Sequence, residues 1–247
     1  MDPTVLEVTL AALITALATG LGALPFLFAP SMSRRWLGIS NAIAAGFMLS
    51  AALALLIEGA ARGPLRVIAG VALGTISIVA TRRILARHED LRFGELAAAD
   101  ARKAVLIVAV MTVHSFSEGV GVGVSFGGGA ALGIFITIAI AIHNIPEGLA
   151  ISLVLVPRGV RVRAAAGWSI FSSLPQPLLA APAFLFVEAF RPFLPVGLGF
   201  AAGAMTWLVL VELVPDAHEE LGLRGLIPWL AVSFAGMSLL QLALLAR

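Results

Sequence analysis

Cysteine is absent from this 247-residue chain, and charge is scarce. Without a thiol there is no disulfide framework, no thiolate metal site and no thiol redox chemistry. Asp, Glu, Lys and Arg make up 12% of the residues, where soluble domains carry about 25%. A net charge of +2 leaves no electrostatic footprint for nucleic acid. The H-E-x-x-H metallohydrolase signature is missing. Gly119, Gly121 and Gly123 fail the G-x-G-x-x-G phosphate pattern and are spaced for helix packing instead. The opening residues, Met1-Asp2-Pro3-Thr4-Val5-Leu6-Glu7, lack the basic start of a signal peptide, so the first apolar stretch is expected to be a retained span. What fills the chain is apolar: 60% of residues are hydrophobic and mean hydropathy is +1.04. This is the composition of an integral membrane protein.

Windows of 18 or more largely apolar residues predict eight transmembrane helices in an all-α membrane protein. Their expected limits are 4–28, 41–61, 65–86, 103–126, 130–155, 164–190, 194–214 and 225–246. Short breaks carry turn residues: Ala29-Pro30-Ser31, Gly63-Pro64, Gly127-Gly128-Gly129 and Pro157-Arg158-Gly159. The one long hydrophilic break, about 87–102, leaves no room for a separate soluble domain, so residues 1–247 read as one transmembrane domain. With the N-terminus outside, the inner loops hold Arg34, Arg35, Arg82, Arg83, Arg87, Arg92, Arg102, Lys103, Arg158, Arg161, Arg163 and Arg224, which is 12 of the 16 basic residues. The positive-inside rule therefore predicts a multi-pass protein of the cell inner (plasma) membrane with both termini extracytoplasmic.

Two copies of a short motif stand inside the fourth and fifth apolar stretches. His114-Ser115-Phe116-Ser117-Glu118-Gly119 is echoed by His143-Asn144-Ile145-Pro146-Glu147-Gly148. Each places imidazole and carboxylate four residues apart, on one face of a helix. A carboxylate at that depth costs on the order of 2.5–3.5 kcal/mol, and two of them beside two histidines call for a cation. Counted from the triple glycine at about 1.5 Å per residue, Glu118 falls roughly 15 Å deep. His114 and His143 fall level at roughly 21–22 Å, and Glu147 lies a turn deeper. Imidazole with carboxylate suits Zn²⁺ and also Fe²⁺, Mn²⁺, Co²⁺, Ni²⁺ and Cd²⁺. Pro146 removes one helical N–H, which frees the Ile142 carbonyl. Three functions fit such a centre: metal transport, metal sensing without transport, and an intramembrane metallohydrolase with zinc-activated water.

These residues resemble the ZIP (Zrt/Irt-like) metal transporters. His143-Asn144-Ile145-Pro146-Glu147-Gly148-Leu149-Ala150 is similar to their fifth-span signature, and His114-Ser115-Phe116-Ser117-Glu118-Gly119 to their fourth, which more often has Asn and Pro where Ser115 and Ser117 stand. Gly22-Ala23-Leu24-Pro25, Gly46-Phe47-Met48-Leu49-Ser50-Ala51 and Glu212-Leu213-Val214-Pro215-Asp216 agree with the first, second and seventh spans. The resemblance implies a 3+2+3 arrangement with an inverted repeat relating spans 1–3 to 6–8, which Gly46-x-Met48 and Gly203-x-Met205 echo. It implies transport of divalent metal, zinc foremost, toward the cytoplasm, with no prosthetic group and no enzymatic reaction. The partners are divalent metal ions and the lipid bilayer, with a homodimer left open. The implied ligands are His114, Glu118, His143 and Glu147, with Ser115 and Asn144 beside a second metal. Many bacterial members carry Glu-Pro in the sixth span, where Ser173-Leu174-Pro175-Gln176-Pro177 offers Gln176 and no charge. Glu212 and Asp216, with His218, Glu219 and Glu220 beyond, could form an exit cluster or a solvated cap. Glu58 could gather cations at the outer end of the second span, and His88-Glu89-Asp90 reads as a solvated loop.

Overall fold

The computed structural model describes residues 3–28, 33–87, 92–93 and 96–245; the loop triplet His88-Glu89-Asp90 and the break Ala29-Pro30-Ser31 lie outside the described residues. The architecture is helical. Helix α1 (Val5–Gly20) opens with a capping box, in which the Thr4 hydroxyl accepts from the Glu7 N–H at 3.2 Å and the Glu7 carboxylate accepts from the Thr4 N–H at 2.7 Å. A 3₁₀ turn (Leu21–Ala23) leads to α2 (Pro25–Phe28). Then come α3 (Arg34–Arg62), α4 (Pro64–Ala86), a two-residue ladder of β1 (Arg92–Phe93) with β2 (Leu96–Ala97), α5 (Ala98–Gly127) and α6 (Ala130–Leu155). After a second 3₁₀ turn (Val156–Arg158) follow α7 (Val162–Ser173), α8 (Pro175–Leu185) and α9 (Val187–Phe190). A third 3₁₀ turn (Arg191–Phe193) leads to α10 (Leu194–Leu208), a π-helical segment (Val209–Leu213) and α11 (Val214–Leu245). Among the described residues, six helical stretches are long and apolar enough to cross a membrane: Val5–Phe28, Arg34–Arg62, Pro64–Ile84, Asp100–Gly127, Ala130–Arg158 and Arg191–Ala243.

The helices depart from the expected limits where backbone chemistry outweighs hydropathy. Ser33 caps α3 by accepting from the Trp36 N–H at 3.4 Å, so that helix starts at Arg34 instead of residue 41. The stretch expected at 164–190 breaks at Leu174, where Pro175 and Pro177 withhold their N–H groups. Helix α11 is interrupted at Gly222, whose φ of 65° and ψ of 170° only glycine adopts readily. Partners along α3 show what that interruption does. Gly59 meets Leu198, and Gly38 meets Glu220 and Leu221, so the chain first runs against α3. Beyond the glycine, Gly46 meets Leu230 and Ser233, and Ser50 bonds Ser238 at 2.8 Å. The chain has doubled back and now runs along α3.

Close contacts orient the other helices as well. Thr15 and Thr19 of α1 lie beside Asn144 and Gly148 of α6, a parallel pair. Gly20, Thr19 and Thr15 meet Ile170, Ser173 and Gln176 in turn, so α7 and α8 form one line antiparallel to α1. Gly119, Gly123 and Gly127 of α5 meet Gln176, Ala180 and Val187, a parallel pair. Phe126 covers Gly133 and His114 reaches Glu147, making α5 and α6 antiparallel. Val67 and Val71 of α4 lie on Gly199 and Gly203 of α10, again parallel. Backbones nearly touch at Gly148, where an added Cβ would lie 1.7 Å from the Thr19 carbonyl oxygen. That contact brings Thr15 and Thr19 up to the motif of α6.

Burial follows from this arrangement. Large apolar side chains face outward, including Leu65, Leu178 and Val232, which are 80%, 71% and 68% exposed. The polar residues go inside: Thr15, Ser115, Asn144, Ser169, Ser172 and Gln176 are all fully buried. An apolar exterior around a partly polar interior is what a lipid solvent selects.

Candidate metal centre

Helices α5 and α6 each present one imidazole and one carboxylate to their shared interface. His114 Nε2 lies 2.9 Å from Glu147 Oε1 and 3.5 Å from Glu118 Oε1. His143 Nε2 lies 3.0 Å from Glu147 Oε1 and 4.0 Å from Glu118 Oε1. One ligand atom from each of the four residues falls within 4.8 Å of all the others. Depth counted along the sequence separates the carboxylates by more than this. The side chains of Glu118 and Glu147 close the gap by reaching along their helices toward the histidines.

Neither ring nitrogen of His114 and neither oxygen of Glu147 has a hydrogen-bond partner among the described residues, although the ion-pair distances are short. Buried polar atoms cost free energy unless something satisfies them. Zinc ligands at about 2.0–2.2 Å from one ion lie roughly 3.3 Å apart in a tetrahedron, and these separations bracket that value. The donor set fits a divalent transition metal. Exposure is uneven: the His143 side chain is 12% exposed, against 0%, 5% and 1% for His114, Glu118 and Glu147.

Behind the centre stands a layer of neutral polar groups. Gln176 Nε2 donates to Glu118 Oε2 at 2.6 Å. The Gln176 side-chain oxygen accepts from Asn144 Nδ2 at 3.1 Å and faces the Thr15 hydroxyl, and Asn144 Nδ2 also donates to the Thr15 carbonyl at 2.7 Å. The structure thus brings Asn144 and Gln176 to the centre through hydrogen bonds. Ser115 is fully buried, and its hydroxyl has no hydrogen-bond partner among the described residues. Ser117, which takes the place of Pro146 in the other motif, donates its hydroxyl to the His114 carbonyl at 2.7 Å.

Glu212 is not with the other candidates. It belongs to the π-helical segment, 3.3 Å from Lys103 Nζ and 4.0 Å from an Arg82 nitrogen, and Lys103 also holds Asp216 at 2.7 Å. Lys103 precedes His114 by three helical turns, about 16 Å along α5. Between them on that face lie Ile107 and Met111, both buried. Glu58 pairs with Arg62 one turn away. Sequence reasoning missed Thr15, Thr19 and Lys103. Thr15, Thr19 and Gly22 at spacings of four and three mark one face of the first span, and the eleven-residue step from Lys103 to His114 marks one face of the fourth.

A family model described as ZIP Zinc transporter matches residues 81–244. The chain is 46% identical, over 237 residues, to an Arabidopsis thaliana protein that carries a provisional zinc-transporter name; the match covers 95% of this chain and 38% of that protein. It is 33% identical over 222 residues to Zinc transporter GufA of Myxococcus xanthus, covering 85% of this chain and 87% of the relative. The chain therefore spans well under half of the plant relative and most of the bacterial one. With the fifth-span motif, the four-ligand cluster and these matches together, the chain belongs to the ZIP zinc transporter family.

Proposed function

We propose that the protein moves divalent transition-metal ions, zinc foremost, across a membrane toward the cytoplasm, through the centre formed by His114, Glu118, His143 and Glu147. The observation that carries the reading is the convergence of two imidazoles and two carboxylates within 4.8 Å, from adjacent antiparallel helices, inside an apolar exterior. Both relatives named above carry zinc-transporter names. No covalent step is needed. The ion exchanges hydration water for imidazole nitrogen and carboxylate oxygen, which offset the cost of its entry into a medium of low dielectric. The carboxylates in turn gain the counter-charge their depth demands.

The chain crosses the membrane eight times in this reading. Helices α1, α4, α6 and α10 share one direction, while α3, α5, the α7–α8 line and α11 beyond Gly222 share the other, so direction alternates along the chain. The stretch Arg191–Ala243 has 53 residues, about 80 Å of helix at 1.5 Å per residue, and it doubles back at Gly222. Packing also supports the 3+2+3 inverted repeat. Exchanging spans 1–3 with 6–8, and 4 with 5, converts the α3–α11 contact into α10–α4, and α1–α6 into α8–α5; all four are observed pairs. The basic residues orient the assembly with both termini outside a plasma membrane. Exit toward the cytoplasm passes the apolar layer of Ile107 and Met111 and then the Lys103–Glu212–Asp216 cluster. A homodimer is compatible with the apolar exterior.

The test is uptake of Zn²⁺ into liposomes that hold a fluorescent zinc reporter. Accumulation without any cleaved product supports transport. Tight binding with no entry would assign a sensor, and product formation would assign a hydrolase.

A further inference from the structure

Glu118 has two carboxylate oxygens with different surroundings. Oε1 faces the imidazoles of His114 and His143, at 3.5 and 4.0 Å. Oε2 accepts a hydrogen bond from Gln176 Nε2 at 2.6 Å. An amide can present either end, so something must fix this one. The Gln176 side-chain oxygen accepts from Asn144 Nδ2 at 3.1 Å and faces the Thr15 hydroxyl, whose one proton is shared with the Ala12 carbonyl at 2.7 Å. Asn144 is set in turn by donating to the Thr15 carbonyl at 2.7 Å. A reversed Gln176 would set N–H against N–H at Asn144 and oxygen against oxygen at Glu118. All three residues are fully buried, so water is not at hand to relieve that mismatch.

We propose that Gln176, oriented by Thr15 and Asn144, is a positioning residue that turns a single oxygen of Glu118 toward the histidines, and that the centre consequently holds one divalent cation at a time. A second ion beside the first would need Glu118 Oε2, which the Gln176 amide occupies with a donor. Such an ion would also sit close to the first cation, with Asn144 and Ser115 as its neutral neighbours. Like charges a few ångströms apart in a buried site repel strongly, and neutral ligands offset little of that. Thr15 acts at a distance: together with Asn144, its hydroxyl and carbonyl set which end of Gln176 the carboxylate meets. Groups behind metal ligands tune orientation and affinity in this way.

The inference rests on the metal-transport reading, and the experiment separates the two. The full chain in nanodiscs is loaded with Co²⁺, the bound metal is counted per chain, and the visible absorption of the ion is recorded. One Co²⁺ per unmodified chain is expected. Gln176→Glu, which replaces the donor with a carboxylate, is expected to raise the count to two. Thr15→Val is expected to keep one ion, change the Co²⁺ spectrum and weaken affinity by about 10–100-fold. Thr15→Ser, which keeps the hydroxyl, should restore both. Thr19→Val removes a neighbouring hydroxyl that bonds Ser173 and not Gln176, and should leave the spectrum unchanged. Two ions in the unmodified chain, one ion in Gln176→Glu, or an unchanged spectrum in Thr15→Val would overturn the inference alone. No bound Co²⁺ in the unmodified chain would overturn the transport reading with it.

Discussion

Glu147 is buried to within 1% and has no hydrogen-bond partner for either oxygen among the described residues. A carboxylate in that state is retained only if it does something, because its insertion costs on the order of 2.5–3.5 kcal/mol. His114→Ala, Glu118→Ala, His143→Ala and Glu147→Ala are each expected to lower metal flux by at least about tenfold, since even the groups behind metal ligands are worth about 10–100-fold. Flux at equal membrane abundance checks this, and near-normal flux in all four variants would refute the path. These four residues were legible in the sequence for a physical reason. The i,i+4 spacing fixes a shared helical face, and the glycine turn between the two helices fixes their antiparallel register. Thr15 was not legible as a partner of the centre. It lies 161 residues from Gln176 and 129 from Asn144, and only tertiary packing brings them together.

At the scale of the element, close packing of α1 on α6 brings Thr15 and Asn144 together. Gly148→Ala would place a methyl 1.7 Å from the Thr19 carbonyl oxygen, and rigid backbone cannot yield as a side chain would. The expected cost is about 1–3 kcal/mol for overpacking, read as a lower thermal midpoint in detergent together with reduced flux. Gly121→Ala is the control, because nothing lies within 4 Å of a Cβ there; it should leave flux unchanged and stability equal or slightly higher. Equal loss in both variants would contradict the packing argument. Hydropathy reads the sixth stretch as one span over 164–190, and Pro175 and Pro177 break it at Leu174. The polar run after residue 214 read as a loop, yet it stays helical to the turn at Gly222. Helical hydrogen bonding needs no apolar side chains, and the run is tied down by Lys103 to Asp216 and by Arg34 to Glu220.

For the whole molecule, alternating helix directions and the bias of basic residues make one claim about sidedness. Lack of native cysteine makes it directly testable. Gly63→Cys and Gly128→Cys should react with an impermeant maleimide from outside, and Pro157→Cys and Leu223→Cys from the cytoplasm alone. Labelling of Leu223→Cys on the same side as Gly128→Cys would remove the last reversal and with it the eighth crossing. The measurement that bears most directly on the central claim is zinc entry into reporter-loaded liposomes containing either the unmodified chain or the Glu118→Gln/Glu147→Gln variant, which keeps side-chain size while removing both buried charges. The account predicts that zinc accumulates inside the first liposomes and fails to accumulate in the second. Equal entry into both would show that the ion does not pass through this centre.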